Sequence, residues 1–257
     1  MLCRAAVDDI RRVLAELPAR ADREPVVGAG MGGDETTAID AAAERAVLAR
    51  IEDLDDVTIV SEELGVAGTG RTYVVVDPID GSLNAKRGIG FFALSVAVAD
   101  GPTMRDVQFG FVHDFGTDEE WTAIRGEGAF LQGRALDGDR PKERIEILAF
   151  EATRTSSVAE KAAAVVDLAY RLRIMGSLAL SLCHLAAGRM DAVCSLKPAR
   201  SVDIAAAQLL VRERGLAIEL FEDPPFDAAP LDVEARSRVV AAGTPELCRQ
   251  LATALSA

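Results

Sequence analysis

Two aspartates close an apolar run in Val74-Val75-Val76-Asp77-Pro78-Ile79-Asp80, and Gly81 and Ser82 follow directly. A β-branched run of this kind reads as a buried strand. Asp77 then emerges at its tip, where α/β proteins place ligand chemistry, and the proline is expected to stop the strand. No basic side chain separates the two carboxylates, so at close range they would repel. A hard cation such as Mg²⁺, which takes oxygen ligands, would remove that cost. An acidic turn that only caps a strand would read the same way, so this segment needs others beside it.

Four more segments supply them. Asp34-Glu35-Thr36-Thr37-Ala38-Ile39-Asp40 places Asp40 at a helix start, as an expected N-cap. Ser61-Glu62-Glu63 follows the end of a short strand, and Glu120 to Phe130 reads as a hairpin with a glycine turn. Val202-Asp203-Ile204-Ala205-Ala206-Ala207 sets an aspartate at the N-terminus of a small-residue helix. Each alone reads as a cap or a surface group. Their order, from about Gly32 to Ala207, resembles the inositol monophosphatase and fructose-1,6-bisphosphatase superfamily of Mg²⁺-dependent, lithium-sensitive phosphatases. Asn84, Gly88 and Phe91-Phe92 resemble that family's segment after the aspartate turn. Gly176-Ser177, with Leu182, Ala186, Gly188 and Asp191, resembles one of its helices. Arg200-Ser201-Val202-Asp203-Ile204 is similar to the archaeal branch, whose members often hydrolyse both inositol phosphates and fructose 1,6-bisphosphate.

The resemblance implies roles. Glu62, Asp77 and the Ile79 carbonyl would hold a first Mg²⁺; Asp77, Asp80 and Asp203 would hold a second; Glu62 would serve a third, weaker site. Two cations sharing a carboxylate can flank one phosphate, activating water on one side and neutralising the leaving alkoxide on the other. Ser82 and Asp40 would form the proton-accepting pair. Backbone N–H groups of Gly81 and Ser82 would seat the phosphate. The family also implies a homodimer.

Three positions depart from the family pattern. Val202 stands where many relatives have Trp, and Ser82 where many have Thr. Leu196 falls where inositol-preferring relatives carry a sugar-hydroxyl-binding glutamate. A leucine cannot accept that hydrogen bond. Lys197, Arg200 and Arg173, with Gly176 and Ser177 beside them, could instead meet a second phosphate, which tilts the expected substrate toward a sugar bisphosphate. Ordinary surface charge is the alternative for these cations. A 3′(2′),5′-bisphosphate nucleotidase and a non-catalytic interaction protein on the same fold are the competing functions. The first needs a purine pocket, for which the chain has few aromatics, and the second would tolerate damaged carboxylates.

Helices are expected over about residues 2–21, ending near Pro18, and over 41–53, with a short strand at 57–60. Strands at 92–99, 107–113, 120–124 and 129–131 suggest an antiparallel meander. Beyond about Arg144 the pattern alternates: strand 145–149, helix 157–169, strand 172–175, helix 177–187, strand 190–195 and helix 202–213. Strands 216–221 and 237–241 and a helix 245–255 complete it. The expected fold is α+β to α/β, a layered α-β-α-β-α sandwich. An N-terminal half (1–140) would carry most metal carboxylates, and a C-terminal half (141–257) Asp203 and the substrate contacts. Gly28-Ala29-Gly30-Met31-Gly32-Gly33 lacks the G-K-[ST] ending of a P-loop and reads as a mobile flap near the metals.

Composition bounds the rest. The 257 residues are 49% hydrophobic with a mean hydropathy of +0.16, as a globular chain requires. A formal charge of −13 argues against nucleic acid and anionic membranes as partners. The acidic surface suits a salt-rich cytoplasm or reflects GC-rich codon usage. No apolar run reaches a membrane span and no secretory h-region opens the chain, so a cytoplasmic location is expected. Cys3, Cys183, Cys194 and Cys248 lack C-x-x-C spacing and read as reduced, and His113 and His184 as packing residues rather than zinc ligands.

Overall fold

A computed structural model describes every residue except Met1, Gly32, Asp34, Glu143, Ala152, Thr153 and Ala257. Gly32 and Asp34, both part of the sequence reading above, thus lie outside the described residues. The apolar stripe Val7, Ile10 and Val13 builds α1 (Leu2–Glu16), and the short α2 (Arg20–Arg23) follows. The first helix ends just before Pro18, as expected, since the proline ring fixes φ and removes a backbone donor. Strands β1 (Val26–Ala29) and β2 (Glu35–Thr37) form an antiparallel hairpin, so part of the glycine-rich segment read as a flap is strand. Next comes α3 (Ala38–Leu48), which begins and ends earlier than the expected 41–53.

The next elements are β3 (Val57–Ser61), β4 (Gly65–Gly68), β5 (Thr72–Asp80), α4 (Ser82–Arg87), β6 (Ala93–Ala99), β7 (Val107–Asp114), β8 (Glu120–Ile124), β9 (Gly128–Leu131) and β10 (Arg134–Ala135). Their strands make an eight-stranded sheet in the order β10-β9-β8-β7-β6-β5-β3-β4. From β5 to β10 it is the expected meander, while β3 runs parallel to β5. The second half contains β11 (Ile145–Glu151), α5 (Thr155–Ala162), β12 (Ala169–Arg173), α6 (Leu178–Ala186), β13 (Ala192–Ser195), α7 (Ser201–Glu213), β14 (Ala217–Leu220), β15 (Val239–Ala242) and α8 (Pro245–Ser256). Its five strands order as β12-β11-β13-β15-β14, with β11 parallel to both neighbours and β15 antiparallel to both of its own.

Side-chain alternation along β5 explains the layering. Val74 and Val76 pack with Ile10, Ile39 and Val47 of α1 and α3. Val75 faces the opposite cluster, with Leu182 of α6 and Ala206 of α7. Both faces of the strand are covered, hence an unbroken valine run. On the outer face of the five-stranded sheet, Leu148, Phe150 and Val240 meet Cys248 and Leu251 of α8. The layers are therefore α1/α3, sheet, α6/α7, sheet, α8, the expected five-layer sandwich. Gly110 of β7 lets α7 lie close, because a Cβ there would stand 2.5 Å from the Ala206 carbonyl oxygen.

Pro78 does not stop β5. The strand continues to Asp80, with its register to β6 shifting between Asp77 and Asp80. A bulge absorbs the missing proline donor. The helix expected over 157–169 ends at Ala162 in a 3₁₀ turn, and β12 begins at Ala169 rather than 172. That edge strand is mostly exposed (Ala-Tyr-Arg-Leu-Arg) and so carries no apolar signature of its own. The four cysteines are free. Among the described residues, no helix is long and apolar enough to cross a membrane.

Candidate active site

Strand ends and helix starts converge on one cleft of about 280 Å³. Asp77 and Asp80 come from the bulged end of β5, Glu62 from the residue after β3, Asp40 from α3 and Asp203 from α7, and all five line it. Asp77 is 2% exposed and accepts the Ile79 N–H on Oδ1 at 3.0 Å. Asp80 Oδ2 takes the Ser177 hydroxyl at 2.5 Å and the Ala179 N–H at 2.7 Å. Ser177 is the N-cap of α6 and lies 1% exposed behind Asp80, outside the cleft lining.

Asp40 and Asp203 occupy equivalent places on their helices. Neither is an N-cap, contrary to the expectation for Asp40. Each is the third helical residue and accepts the N–H of the capping position: Thr37 N–H to Asp40 Oδ2 at 3.2 Å, and Arg200 N–H to Asp203 Oδ2 at 2.7 Å. A short side chain at that position can fold back on the helix start and still present its second oxygen to the site.

Burial, first, raises the proton affinity of three of these carboxylates. Glu62 is pushed up to about 7 by burial and by Asp203, although Arg200 opposes this. Asp80 is likewise pushed up to about 7, by burial and Asp203, against the hydrogen bonds from Ser177 and Ala179. Asp77 is raised well above the carboxylate range by burial, then by Glu62, Asp80 and Asp203. Arg200 supplies the counter-charge. Its guanidinium is 2.6 Å from Glu62 Oε1 and 3.5 Å from Asp203 Oδ1. Burial works against its positive charge, but Asp203, Glu62 and Asp77 outweigh burial and hold it protonated.

Among the described residues, no three acidic, histidine or cysteine side chains stand close enough to form a ready-made metal centre. The donor set nevertheless fits a hard cation: carboxylates and a backbone carbonyl at one corner, mutually repelling and mostly buried. Ser82 Oγ donates to the Ile79 carbonyl at 3.0 Å. The first residue of a helix readily satisfies its hydroxyl three residues back. Asp40 Oδ2 meanwhile takes the Thr37 hydroxyl at 2.5 Å and faces Lys86 Nζ at 3.6 Å, while its Oδ1 is buried with no hydrogen-bond partner among the described residues.

Gly81 (φ 94°) turns the chain from β5 into α4, and a Cβ there would meet the Phe91 and Gly176 carbonyl oxygens at 3.0 and 3.1 Å. Gly81, Ser82, Gly176 and Lys197 line the cleft. Arg200 is buried against carboxylates rather than being a surface cation. Arg173 stands apart on exposed β12, its guanidinium donating to the Leu172 carbonyl at 2.9 Å, and is not part of the cleft wall. Leu196 packs into the outer core. His184 stacks on Phe91 and meets Trp121 edge-on, a packing role.

Sequence reasoning passed over Lys86 and Glu151, which both line the cleft. Each carried a usable signal. Lys86 is four residues after Ser82 on one helix, hence on the same face. Glu151 closes an apolar run in the sequence just as Asp77 does.

The sequence model described as the inositol monophosphatase family matches residues 2–257. A fructose-1,6-bisphosphatase/inositol-1-monophosphatase of Methanothermobacter thermautotrophicus is 35% identical, over 93% of this chain and 90% of that protein. One from Methanocaldococcus jannaschii is 32% identical, over 93% and 92%. The crystal structure of an inositol monophosphatase–fructose 1,6-bisphosphatase superposes with a TM-score of 0.85 at 28% identity, covering 98% of this chain and 96% of that one.

Proposed function

Because the chain belongs to the inositol monophosphatase family, we propose that this phosphoric monoester hydrolase acts on fructose 1,6-bisphosphate and inositol 1-phosphate with Mg²⁺. One observation carries the reading: Glu62, Asp77, Asp80 and Asp203, far apart in sequence, meet at a single cleft. The names of the similar proteins support the two substrates. We assign Glu62, Asp77, Asp80, Asp203 and the Ile79 carbonyl to two or three Mg²⁺ sites. When bound, Mg²⁺ acidifies a water and neutralises the phosphoryl and leaving-group oxygens.

The chain's own groups do the remainder. Gly81 and Ser82 offer their amides at the start of α4 to the phosphate. Ser82 orients the attacking water, and Asp40 takes its proton on Oδ1, the oxygen with no hydrogen-bond partner among the described residues. Lys197, on the cleft wall after β13, meets the second phosphate of a bisphosphate. Arg200 balances the carboxylates instead, Gly176 forms the wall beside Asp80, and Ser177 holds Asp80 from behind. In this reading residues 1–140 supply most ligands and residues 141–257 supply Asp203 and substrate contacts. The enzyme works in the cytoplasm as a homodimer, which light scattering on the purified chain would check for its oligomeric part.

Titrating Mg²⁺ against phosphate release from both substrates tests the reading. Release from at least one, saturating with Mg²⁺, is expected, and no release from either ends it. Lys86→Met removes the cation facing Asp40. It is expected to lower kcat about tenfold, roughly 1.4 kcal/mol of barrier, with KM little changed in steady-state assays.

A further inference from the structure

Asp80 is held in place from the second sheet, and the residue that anchors the hold is Glu151. Glu151 is the last residue of β11, paired in register with Ser195 of β13, so the carboxyl ends of two parallel strands deliver it to the cleft. It is 6% exposed. Its Oε2 accepts the Gly176 N–H at 2.8 Å, and its Oε1 accepts the Ser181 hydroxyl at 2.6 Å and the Met175 N–H at 3.3 Å. Three donors on one buried carboxylate fix both the turn into α6 and the helix's first full turn.

The same short segment is tied to β5 of the first sheet and to the following α4 by its other atoms. The Met175 carbonyl accepts Asn84 Nδ2–H at 2.7 Å, and the Ser177 hydroxyl donates to Asp80 Oδ2 at 2.5 Å. Gly176 has φ 89°, a left-handed conformation that leaves no room for an ordinary side chain's preference. Met175-Gly176-Ser177 therefore bridges the two sheets, with Glu151 fastening one side and Asp80 and Asn84 the other. Ser177 and Ala179 engage Oδ2 of Asp80, which leaves Oδ1 for another partner.

We propose that Glu151 is a positioning residue for Asp80: it fixes the Gly176–Ser177 turn, and that turn sets the orientation in which Asp80 meets a divalent cation. The inference rests on Asp80 being a cation ligand, as assigned above. Groups that orient metal ligands typically change affinity by about 10- to 100-fold when removed.

The test is calorimetric Mg²⁺ titration of the full, metal-stripped chain, with thermal melts of each variant as a folding check. Glu151→Gln, which keeps the length but loses the carboxylate, is expected to bind Mg²⁺ at least about tenfold more weakly. Glu151→Asp keeps the charge and loses the reach, and should bind nearly as weakly as Glu151→Gln. Ser177→Ala should weaken binding too, and adding Glu151→Gln to it should change little more, because the two act in series. Unchanged Mg²⁺ affinity in Glu151→Gln, whatever its melting temperature, would overturn the inference. So would wild-type affinity in Glu151→Asp, which would make the role one of charge alone, or additive losses in the double variant. Failure of the unaltered chain to bind Mg²⁺ would instead remove the reading of the site itself, and this inference with it.

Discussion

Asp77→Asn is expected to cost at least about a thousandfold in kcat, some 4 kcal/mol of barrier, while making the metal-free protein harder to melt at pH 8. The two effects share one cause. Asp77 is buried, and burial followed by Glu62, Asp80 and Asp203 raises its proton affinity. Placing charge on these carboxylates therefore costs the metal-free fold stability as pH rises, a cost that Arg200 relieves in part. Asparagine has nearly the same shape, and its Oδ1 can still accept the Ile79 N–H that Asp77 accepts at 3.0 Å. It removes the charge without opening a hole. Relieving even 1–2 kcal/mol should raise the melting temperature by roughly 2–8 °C for a chain of this length. Initial-rate assays at saturating Mg²⁺ and melts in EDTA measure the pair of outcomes. Retained turnover, or a lower metal-free melting temperature, would mean that Asp77 is a structural carboxylate and not a site built at the expense of stability.

That trade explains which parts of the site could be read from the sequence. Asp77 and Asp80 stand out because charge at the end of a buried valine strand has no packing rationale. Asp203, before a run of alanines, stands out against a helix otherwise made to be buried. Their relation to the backbone was less legible. Pro78 signals a strand end, but β6 continues to pair through a bulge, and a bulge is a property of two strands together. The third-residue positions of Asp40 and Asp203 follow from helices that begin at Ala38 and Ser201, before any periodic apolar residue marks the start.

Cations were the least legible part. Arg173 and Arg200 look alike in sequence, yet one lies on an exposed edge strand and the other is held among carboxylates. Only the packing of α7 against the first sheet distinguishes them. Glu151 shows the same limit from the acidic side: its three donors arrive from a turn and a helix 24 to 30 residues further on.

Cation dependence of stability should grow with pH, and it would probe the carboxylates without any substrate. Glu62 and Asp80 are both pushed up to about 7, from ordinary values of 4.5 and 3.8. Acids whose folded-state affinity for the proton is raised contribute stability below pH about 4, where both states bind it, and lose that contribution as pH climbs through about 7. The metal-free melting temperature should accordingly fall between pH 5 and pH 8. Mg²⁺ needs the same oxygens deprotonated, so it competes with protons and gains as they leave. At pH 8, Mg²⁺ at a hundredfold excess over its Kd should add about 3 kcal/mol, which is roughly 6–12 °C. At pH 5 the carboxylates hold their protons and the same Mg²⁺ should add little. Differential scanning fluorimetry across that range, with and without Mg²⁺, reads both trends. A Mg²⁺ shift of equal size at pH 5 and pH 8, or one that survives Asp77→Asn undiminished, would place cation binding somewhere other than this corner of the fold.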